Sequence, residues 1–448
     1  QIPTQISYDD SSYTVVEIGE SAFSGCSSLT GSLKIPESVT SIGEKAFYNC
    51  SNFTGPLIIG NSVTSIGNSA FYHCRSFTGP LTIPSSVISI GNNAFDGCWN
   101  FTGPLTIPES VKSIGNGAFL NCWSLTGPLV ISDAVISIGG YVFSFCDGLT
   151  GSLTIPNSVT EIGGNAFRGC SGFTGTLTIG NSVISIGDGA FDGCSGLTGP
   201  LTIPETVTSI GDRAFYDCSG FTGSLTIGSA VNRIGENAFN NCSGFTGSLT
   251  IPESVISIGD KAFYNCSGFT GSLTIGSSVE TIGKNTFYDC GGFTGSLTIG
   301  KSVTSIDDSA FKGCDNFESI KSLNPEPPLC LKTSLPSNTD IIIRVPAGSG
   351  VTYRCSSGWL SYSNIYEIGD VNHSEKITVS DAVADANYII GIEPAGTFDE
   401  ICGDMNLDGR VSLLDVSQII DAVSEYNPDD MDVVVKAESR VSDFFAFF

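Results

Sequence analysis

The sequence predicts a solenoid, in which 24-residue coils stack into one column and each coil adds a short strand to a parallel sheet. The first observation is the spacing of the cysteines, because thirteen of the sixteen follow one another at intervals of 24, from Cys26 to Cys314. The second is that the residues between them repeat one unit, C-S-G-F-T-G-S-L-T-I-P-x-S-V-x-S-I-G-x-x-A-F-x-x. Self-similarity at a fixed period of this length is typical of solenoids, whose single coils cannot bury their apolar side chains alone.

The apolar positions of the unit predict its strand and its core. In the coil that follows Cys218, Leu225-Thr226-Ile227 alternates apolar and polar side chains, as a strand packed on one face does. The core is predicted from the other apolar positions of this coil, Phe221, Val231, Ile234, Ala238 and Phe239. Gly223 and Gly235 recur in nearly every unit, which indicates positive φ or a close approach of two coils. At a strand spacing of about 4.8 Å, thirteen coils predict a rod or shallow arc about 60 Å long.

The regularly spaced cysteines are interpreted as buried thiols. Equivalent cysteines on successive coils point in parallel, which takes them away from disulfide geometry, and they lack the paired short spacings of a zinc site. Free cysteine is among the most buried residue types, so a structural role in the core accounts for them. Cys330 and Cys355 lie outside the register and are candidates for a single disulfide.

The complete unit also carries a family resemblance. From Ile155 to Cys170 the chain reads I-P-N-S-V-T-E-I-G-G-N-A-F-R-G-C, and this pattern resembles the BspA-like, or treponemal-type, leucine-rich repeats of bacterial surface proteins. The resemblance implies a leucine-rich repeat solenoid over residues 1–320. Residues 321–368, which include Tyr353 and Trp359, resemble the cap that closes such solenoids. A cap is physically required, because the last coil would otherwise expose an apolar end and a sheet edge.

Departures from the repeat predict a recognition site. Trp99 and Trp123 directly follow the cysteine in consecutive coils, where most units have Ser, and stacking places them about one strand spacing apart. Tyr141 and Phe145 add aromatic rings at nearby variable positions. An aromatic patch on a polar surface is a candidate for ligand binding. The alternative is an inert or locally buried cluster.

Two acidic loops after residue 368 predict calcium sites. The second loop has oxygen side chains at positions 1, 3, 5, 9 and 12, a backbone carbonyl at position 7 and Gly at position 6, which is the spacing of a calcium loop. Its predicted ligands are Asp404, Asn406, Asp408, Arg410 through its carbonyl, Ser412 and Asp415. The first loop offers Asp370, Asn372, Ser374, Lys376 through its carbonyl, Thr378 and Asp381. We expect weaker binding of Ca²⁺ there, because Ser374 replaces an acid and Glu375 stands where Gly would accept positive φ.

The pair of loops resembles a type I dockerin over residues 369–427. Each loop runs into a segment with helical spacing, Asp stands at position 12, and the entering helix of an EF-hand is missing. The resemblance implies a small all-α calcium module that docks to a cohesin domain of a scaffold protein. The partner-reading positions then correspond to Val379, Ser380, Leu413 and Leu414. The alternative is a calcium-stapled module without a partner, and residues 428–448 form a tail with no predicted role.

Composition narrows the function. There are 45 acidic residues against 19 basic ones, and the net charge of -26 predicts repulsion from nucleic acid and from anionic membrane surfaces. No apolar run approaches the roughly 18 residues of a membrane span. We therefore expect a non-catalytic recognition or adhesion protein, secreted or attached to a cell surface. Its rod would bind a host or matrix protein or a polysaccharide, and its dockerin-like module would bind cohesin through calcium.

Two alternatives remain open on the sequence. A polysaccharide-active enzyme attached to a scaffold would need two carboxylates about 5–9.5 Å apart in a cleft. The acids of the repeats occupy one turn position without obvious partners: Glu37, Glu109, Asp133, Glu205 and Glu253. His73 and His373 lack the neighbours of a nucleophilic triad. A passive spacer, the other alternative, predicts that the rod binds no ligand.

Overall fold

The computed structural model of the protein describes residues 2–369, together with residues 381, 384, 385, 416, 418 and 419. Residues 17–330 form stacked coils with parallel strands on two faces. Fourteen coils contribute to the first face, and the strands after residue 341 extend the second face further, so the column has about 15 turns where the cysteine register predicts thirteen. The leucine-rich repeat solenoid expected from the sequence is thus confirmed.

The first face carries one continuous parallel sheet, here called the long sheet. Its strands are paired in register with those 24 residues away, so that Ile186 lies beside Ile162 and Ile210. The fourteen strands are Glu17–Ile18, Ser41–Ile42, Ser65–Ile66, Ser89–Ile90, Ser113–Ile114, Ser137–Ile138, Glu161–Ile162, Ser185–Ile186, Ser209–Ile210, Arg233–Ile234, Ser257–Ile258, Thr281–Ile282, Ser305–Ile306 and Leu329–Cys330. The isoleucines point into the core, and the preceding residues face outward or are half-buried.

The second face contains the strand that the alternating pattern predicts, but its sheet is divided into short pieces. Its strands are Leu33–Lys34, Leu57–Ile58, Leu105–Ile107, Leu129–Ile131, Leu153–Thr154, Leu177–Thr178, Leu201–Thr202, Leu225–Thr226, Leu249–Ile251, Leu273–Ile275, Ser296–Ile299, Ser319–Ser322, Ile342–Val345 and Ile365–Glu367. Gly79–Pro80 pairs in parallel with Phe101–Thr102. An exposed antiparallel hairpin, Gln5–Tyr8 and Ser11–Thr14, precedes the first coil.

The core between the two faces consists of rows of identical side chains. Phenylalanines three residues before each cysteine form one stack, with ring centroids 5.4 Å apart between Phe167 and Phe191 and 5.2 Å apart between Phe191 and Phe215. All the predicted core positions of the coil that follows Cys218 are buried. Because every coil repeats these positions, the apolar interior continues without interruption along the column.

The cysteines of the register form a row of buried free thiols, as the sequence predicts. Twelve of them, from Cys50 to Cys314, are buried and unpaired, and each Sγ donates to the backbone carbonyl of the phenylalanine 27 residues earlier. Burial raises the pKa of the Cys50 thiol to about 11 and the pKa of the Cys170 thiol to about 12. Cys330 and Cys355 are also free thiols, so the disulfide considered for them is absent.

The segment after the last full coil closes the column. A short helix, Gly350–Cys355, lies between the last two strands of the second face. The Tyr353 hydroxyl donates to the Asn324 carbonyl at 2.7 Å, and Trp359 Nε1 donates to the Pro328 carbonyl at 3.0 Å. Glu367 accepts hydrogen bonds from Gly348 N and Gly350 N, each at 2.8 Å. The apolar end of the column is therefore covered by buried aromatic side chains whose polar atoms are satisfied.

Candidate functional site

The candidate site lies on the turns that follow each strand of the long sheet and continue past the cysteine. Two backbone positions in each coil, five residues before the cysteine and directly before it, adopt positive φ throughout the described repeats. Gly, Asn and Asp are common there because they tolerate this conformation. Tyr141 and Phe145 occupy these two positions in one coil, with φ of 59° and 57°. Bulky residues held in this region indicate a feature retained for a reason other than local stability.

Trp99 and Trp123 lie side by side, as their positions in the repeat predict. Their ring centroids are 5.1 Å apart and the rings are inclined by only 7°. Trp123 remains 48% exposed, and Trp99 is half-buried. The pair therefore presents aromatic surface to solvent on an otherwise polar rod.

Other side chains extend the tryptophan pair into a continuous strip. The rings of Tyr48 and Tyr72 stack at 4.8 Å, and Tyr72 stacks on His73 at 4.1 Å. His73 lies 6.5 Å from Trp99, whose ring also carries the Arg75 guanidinium at 4.5 Å. We call this group the aromatic strip: Tyr48, Tyr72, His73, Arg75, Trp99 and Trp123. The sequence analysis did not single out His73 and Arg75 for this surface, although Arg75 follows its cysteine as Trp99 does.

Tyr141 and Phe145 are exposed but stand apart from the strip. No ring contact between described residues joins either of them to Trp99 or Trp123. Instead the Phe145 ring lies against Gly169 of the next coil, where an added Cβ would be 2.6 Å from Phe145 Cδ1. The Arg168 guanidinium covers the same ring at 5.9 Å. Of the four predicted ligand-binding residues, only Trp99 and Trp123 are in ring contact with each other.

Burial and neighbouring charges shift the pKa values of side chains in and beside the aromatic strip. Desolvation, with a smaller contribution from Arg75, lowers the pKa of His73, so this ring is neutral at physiological pH. Desolvation also raises the pKa of Tyr72, and the carboxylate of Asp96 adds to that shift. Asp96 is only 6% exposed, and burial raises its pKa to about 6, although Asn121 Nδ2 donates to Asp96 Oδ1 at 3.2 Å. The strip therefore has, beside Tyr72, a buried carboxyl group with a pKa of about 6.

Replacing Asp96 by Asn is expected to stabilise the protein above pH 6. The pKa of the Asp96 carboxyl is higher in the folded protein than its unfolded value of 3.8, so folding strengthens its hold on the proton. The contribution of the protonated carboxyl to the free energy of unfolding is therefore greatest below pH 3.8. That contribution disappears as the pH rises through about 6. The free energy of unfolding of Asp96→Asn should therefore exceed that of wild type by about 1–3 kcal/mol at pH 7.5 and match it near pH 3.5. Urea unfolding at both pH values measures this.

The exposed Asp147→Asn serves as the control for that experiment and should change little at either pH. A destabilised Asp96→Asn at pH 7.5 would show that the carboxylate is compensated in the fold, contrary to this account.

Several hydroxyls on the rod's other surfaces are engaged with the neighbouring coil. Thr78 Oγ1 donates to the Thr54 carbonyl at 3.0 Å and Thr294 Oγ1 to the Thr270 carbonyl at 2.6 Å. The acids at the shared turn position behave similarly, since Glu37 accepts from Asn61 N at 2.7 Å and Glu253 from Ser277 N at 2.6 Å. These groups tie neighbouring coils together.

The predicted calcium and cohesin-contacting residues lie almost entirely outside the described residues. This applies to Asp370, Asn372, Ser374, Lys376, Thr378, Asp404, Asn406, Asp408, Arg410, Ser412 and Asp415, and to Val379, Ser380, Leu413 and Leu414. Asp381 is described, and it is helical and 0% exposed. Within the described part of the chain, no group of three or more His, Cys, Asp or Glu side chains could hold a metal ion. No helix in that part is long and apolar enough to cross a membrane.

Comparison with known proteins agrees with the repeat geometry. The family model of the BspA type leucine-rich repeat region matches the chain in overlapping segments that together cover residues 4–325. The chain belongs to the BspA type leucine-rich repeat family. The model of the dockerin type I domain matches residues 368–424, which confirms the second resemblance seen in the sequence. No curated protein sequence matches the chain significantly.

Solved structures of bacterial leucine-rich repeat proteins are similar to this BspA type chain. A leucine-rich repeat protein from Bacteroides ovatus ATCC 8483 is 29% identical, with a TM-score of 0.61 over 82% of this chain and 91% of that one. A leucine rich cell surface protein from Faecalibacterium prausnitzii A2-165 is 28% identical, covers 72% of this chain and 86% of its own, and has a TM-score of 0.43.

Proposed function

We propose that this protein is a non-catalytic extracellular recognition protein, whose repeat rod binds a ligand and whose dockerin domain attaches it to a scaffold. The observation that carries the proposal is the presence of BspA type repeats over residues 4–325 and a dockerin type I domain over residues 368–424 in one chain. The dockerin domain takes up two calcium ions, more tightly in the loop from Asp404 to Asp415 than in the loop from Asp370 to Asp381. It then binds a cohesin domain through Val379, Ser380, Leu413 and Leu414.

The aromatic strip is the proposed ligand-binding surface of the rod. Aromatic side chains and arginine are the residues that most often anchor a protein interface, and here Trp99 contacts both Trp123 and Arg75. Because His73 is neutral and Arg75 lies over Trp99, the strip offers broad rings with one positive charge. Such a surface suits a host or matrix protein or a polysaccharide. The exposed Tyr141 and Phe145 offer a second contact on the same side.

The dockerin part of the proposal is tested by cohesin binding of the full chain. We expect binding to a member of a panel of type I cohesin domains in millimolar Ca²⁺ and its loss in EDTA, because ordered loops require the ion. Asp404→Ala should weaken binding more than Asp370→Ala, since the second loop has the better ligand set. Surface plasmon resonance gives the affinities. Cohesin binding that persists undiminished in EDTA would contradict the calcium requirement.

The strip is tested with Trp99→Ala/Trp123→Ala in the full chain. Arrays of glycans and of matrix proteins first identify what the wild-type rod binds, and the double variant should then lose at least tenfold in affinity for that ligand. Cohesin binding should stay unchanged, which serves as the internal control for the dockerin domain, and an unchanged circular dichroism spectrum serves as the control for folding of the rod. Unchanged affinity for every ligand of the wild-type rod would refute the assignment of the strip.

A further inference from the structure

A gap in a row of tyrosines marks a second site, far along the rod from the aromatic strip. The residues two positions before successive cysteines are Tyr216, Asn240, Tyr264 and Tyr288. Tyr264 and Tyr288 stack with ring centroids 4.9 Å apart and planes inclined by 4°. Tyr216 and Tyr264 are two coils apart, so the repeat separates their rings by about twice that distance. The shorter Asn240 stands between them, which leaves a space as wide as one flat ring.

The rings of Tyr216 and Tyr264, which form the two walls of this space, are each packed against a further side chain on the outer face. The Arg213 guanidinium lies 4.0 Å over the Tyr216 ring and also donates to Asp192 Oδ2 of the preceding coil at 3.2 Å. Arg213 therefore covers the Tyr216 face turned away from Asn240. On the other side Tyr288 backs Tyr264. The two faces turned toward Asn240 are left to line the opening, here called the tyrosine slot.

The floor of the tyrosine slot is polar and held in place. Asn240 is only 6% exposed, and its Nδ2 donates to Asn237 Oδ1 at 2.7 Å. Asn241 Nδ2 donates to Asp217 Oδ1 at 2.7 Å. The slot opens into a surface hollow of about 550 Å³, lined by Arg213, Tyr216, Asn237, Asn240, Asn241, Lys261, Tyr264, Asn285 and Tyr288. No aliphatic side chain contributes to this lining.

Several polar groups in the hollow are available to a ligand. The hydroxyls of Tyr216, Tyr264 and Tyr288 and the amide of Asn285 make no hydrogen bond to any residue that the structure describes. Amides and phenols both donate and accept, which is what a hydroxyl-rich ligand requires. The carboxylates of Asp217 and Asp289 beside the hollow offset the positive charge of Lys261 and Lys312. Such balance favours an uncharged ligand over an ionic one.

We propose that the tyrosine slot binds one sugar ring of a neutral glycan. The ring enters between Tyr216 and Tyr264, its C–H groups contact the electron-rich ring faces, and its hydroxyls bond to the asparagine amides and tyrosine hydroxyls. A peptide would be a poorer occupant, because the core of a protein interface is normally apolar and this lining is not. The inference rests on the proposed role of the rod in recognition, but uses residues that the strip does not contain.

Asn240→Tyr tests the proposal because it fills the slot with the residue that flanks it. The new ring should complete the stack from Tyr216 to Tyr288 and leave the fold intact, since Asn240 has no positive φ and the same backbone position accepts tyrosine in both neighbours. Affinity electrophoresis and calorimetry would use neutral cello-, xylo-, manno- and galacto-oligosaccharides as probes. We expect at least one to bind the wild-type chain, and Asn240→Tyr to lose at least tenfold in affinity.

Ser24→Tyr is the matched control, because it adds tyrosine at the equivalent position of a distant coil. It should bind the oligosaccharide like wild type. Failure of every neutral probe to bind wild type, or equal binding by Asn240→Tyr, would overturn the proposal. Retained cohesin binding in the same samples would show that the scaffold attachment survives that failure. Binding of a negatively charged oligosaccharide alone would equally refute a neutral ligand.

Discussion

Gly187→Ala is expected to lower the free energy of unfolding by about 3 kcal/mol, through overpacking between two coils. Gly187 follows the Ser185–Ile186 strand of the long sheet, where an added Cβ would lie 2.6 Å from Gly164 N and 2.9 Å from the Ile162 carbonyl oxygen. Both atoms belong to the backbone of the preceding coil, so relief requires the coils to separate. Urea unfolding followed by circular dichroism measures the loss.

Gly19→Ala is the matched control, because Gly19 occupies the same position in the first coil and has no coil beneath it. Nothing lies within 4 Å of an added Cβ there. Alanine at this exposed position should be neutral or stabilise by about 0.5 kcal/mol, through the reduced entropy of the unfolded chain. Equal effects of the two substitutions would show that the close approach of coils is not the reason why glycine occupies this position in each coil.

Phe191→Ala should cost about 3–5 kcal/mol, because it opens a cavity inside the stacked phenylalanine row. Phe191 is fully buried and has ring neighbours on both sides, Phe167 at 5.4 Å and Phe215 at 5.2 Å. Each coil depends on its neighbours for burial, so the damage should be greatest in adjacent coils. Hydrogen exchange followed by mass spectrometry should show faster exchange in residues 160–220 than at either end of the rod.

Phe23→Ala provides the comparison for that experiment. Phe23 begins the same row, is only half-buried, and stacks on a single neighbour, Phe47, at 5.1 Å. Its removal should cost clearly less than removal of Phe191. A loss as large as that of Phe191→Ala would mean that the terminal coil is as important to the column as the middle ones, against nearest-neighbour behaviour.

The core could be predicted from the sequence because its period is strict. Every apolar position assigned to the core from one unit is also buried in the following unit. The two recurrent glycines occur for the two reasons predicted, positive φ and close approach of the coils. Gly223 adopts a φ of 82°, whereas an added Cβ on Gly235 would lie 2.5 Å from Asp212 N of the preceding coil. Repetition supplied this information, since the same environment recurs a dozen times and one unit defines the rest.

The strand that forms the continuous sheet was not predicted from the sequence. Alternation at Leu225-Thr226-Ile227 indicates a strand, and one forms there, but the uninterrupted sheet runs through Arg233–Ile234 and its equivalents. Two residues are too few to show alternation, so no periodic signal was available for this strand. Its only mark was the glycine that follows, whose small size allows the next coil to approach.

Only some contacts between side chains could be predicted from the sequence. Trp99 and Trp123 share a position in adjacent coils, so their contact followed directly from the repeat. Tyr141 and Phe145 occupy different positions, and the path of the backbone between those positions decides which way each ring points. The positive φ at both could have been suspected, because most residues in these rows are Gly, Asn, Asp or Ser. The tyrosine slot required knowledge of which faces Arg213 and Tyr288 cover.

The thiol row has a consequence for how the rod withstands its surroundings. Alkylating reagents and oxidants attack the thiolate, and burial suppresses ionisation of the twelve thiols from Cys50 to Cys314 while also denying access to them. Their sulfur atoms already donate to carbonyls of the neighbouring coil. These twelve thiols should therefore stay unmodified in reducing and in oxidising media alike. A cysteine-rich core can in this way keep its shape across compartments of different redox potential, without any disulfide among its buried thiols to form or lose.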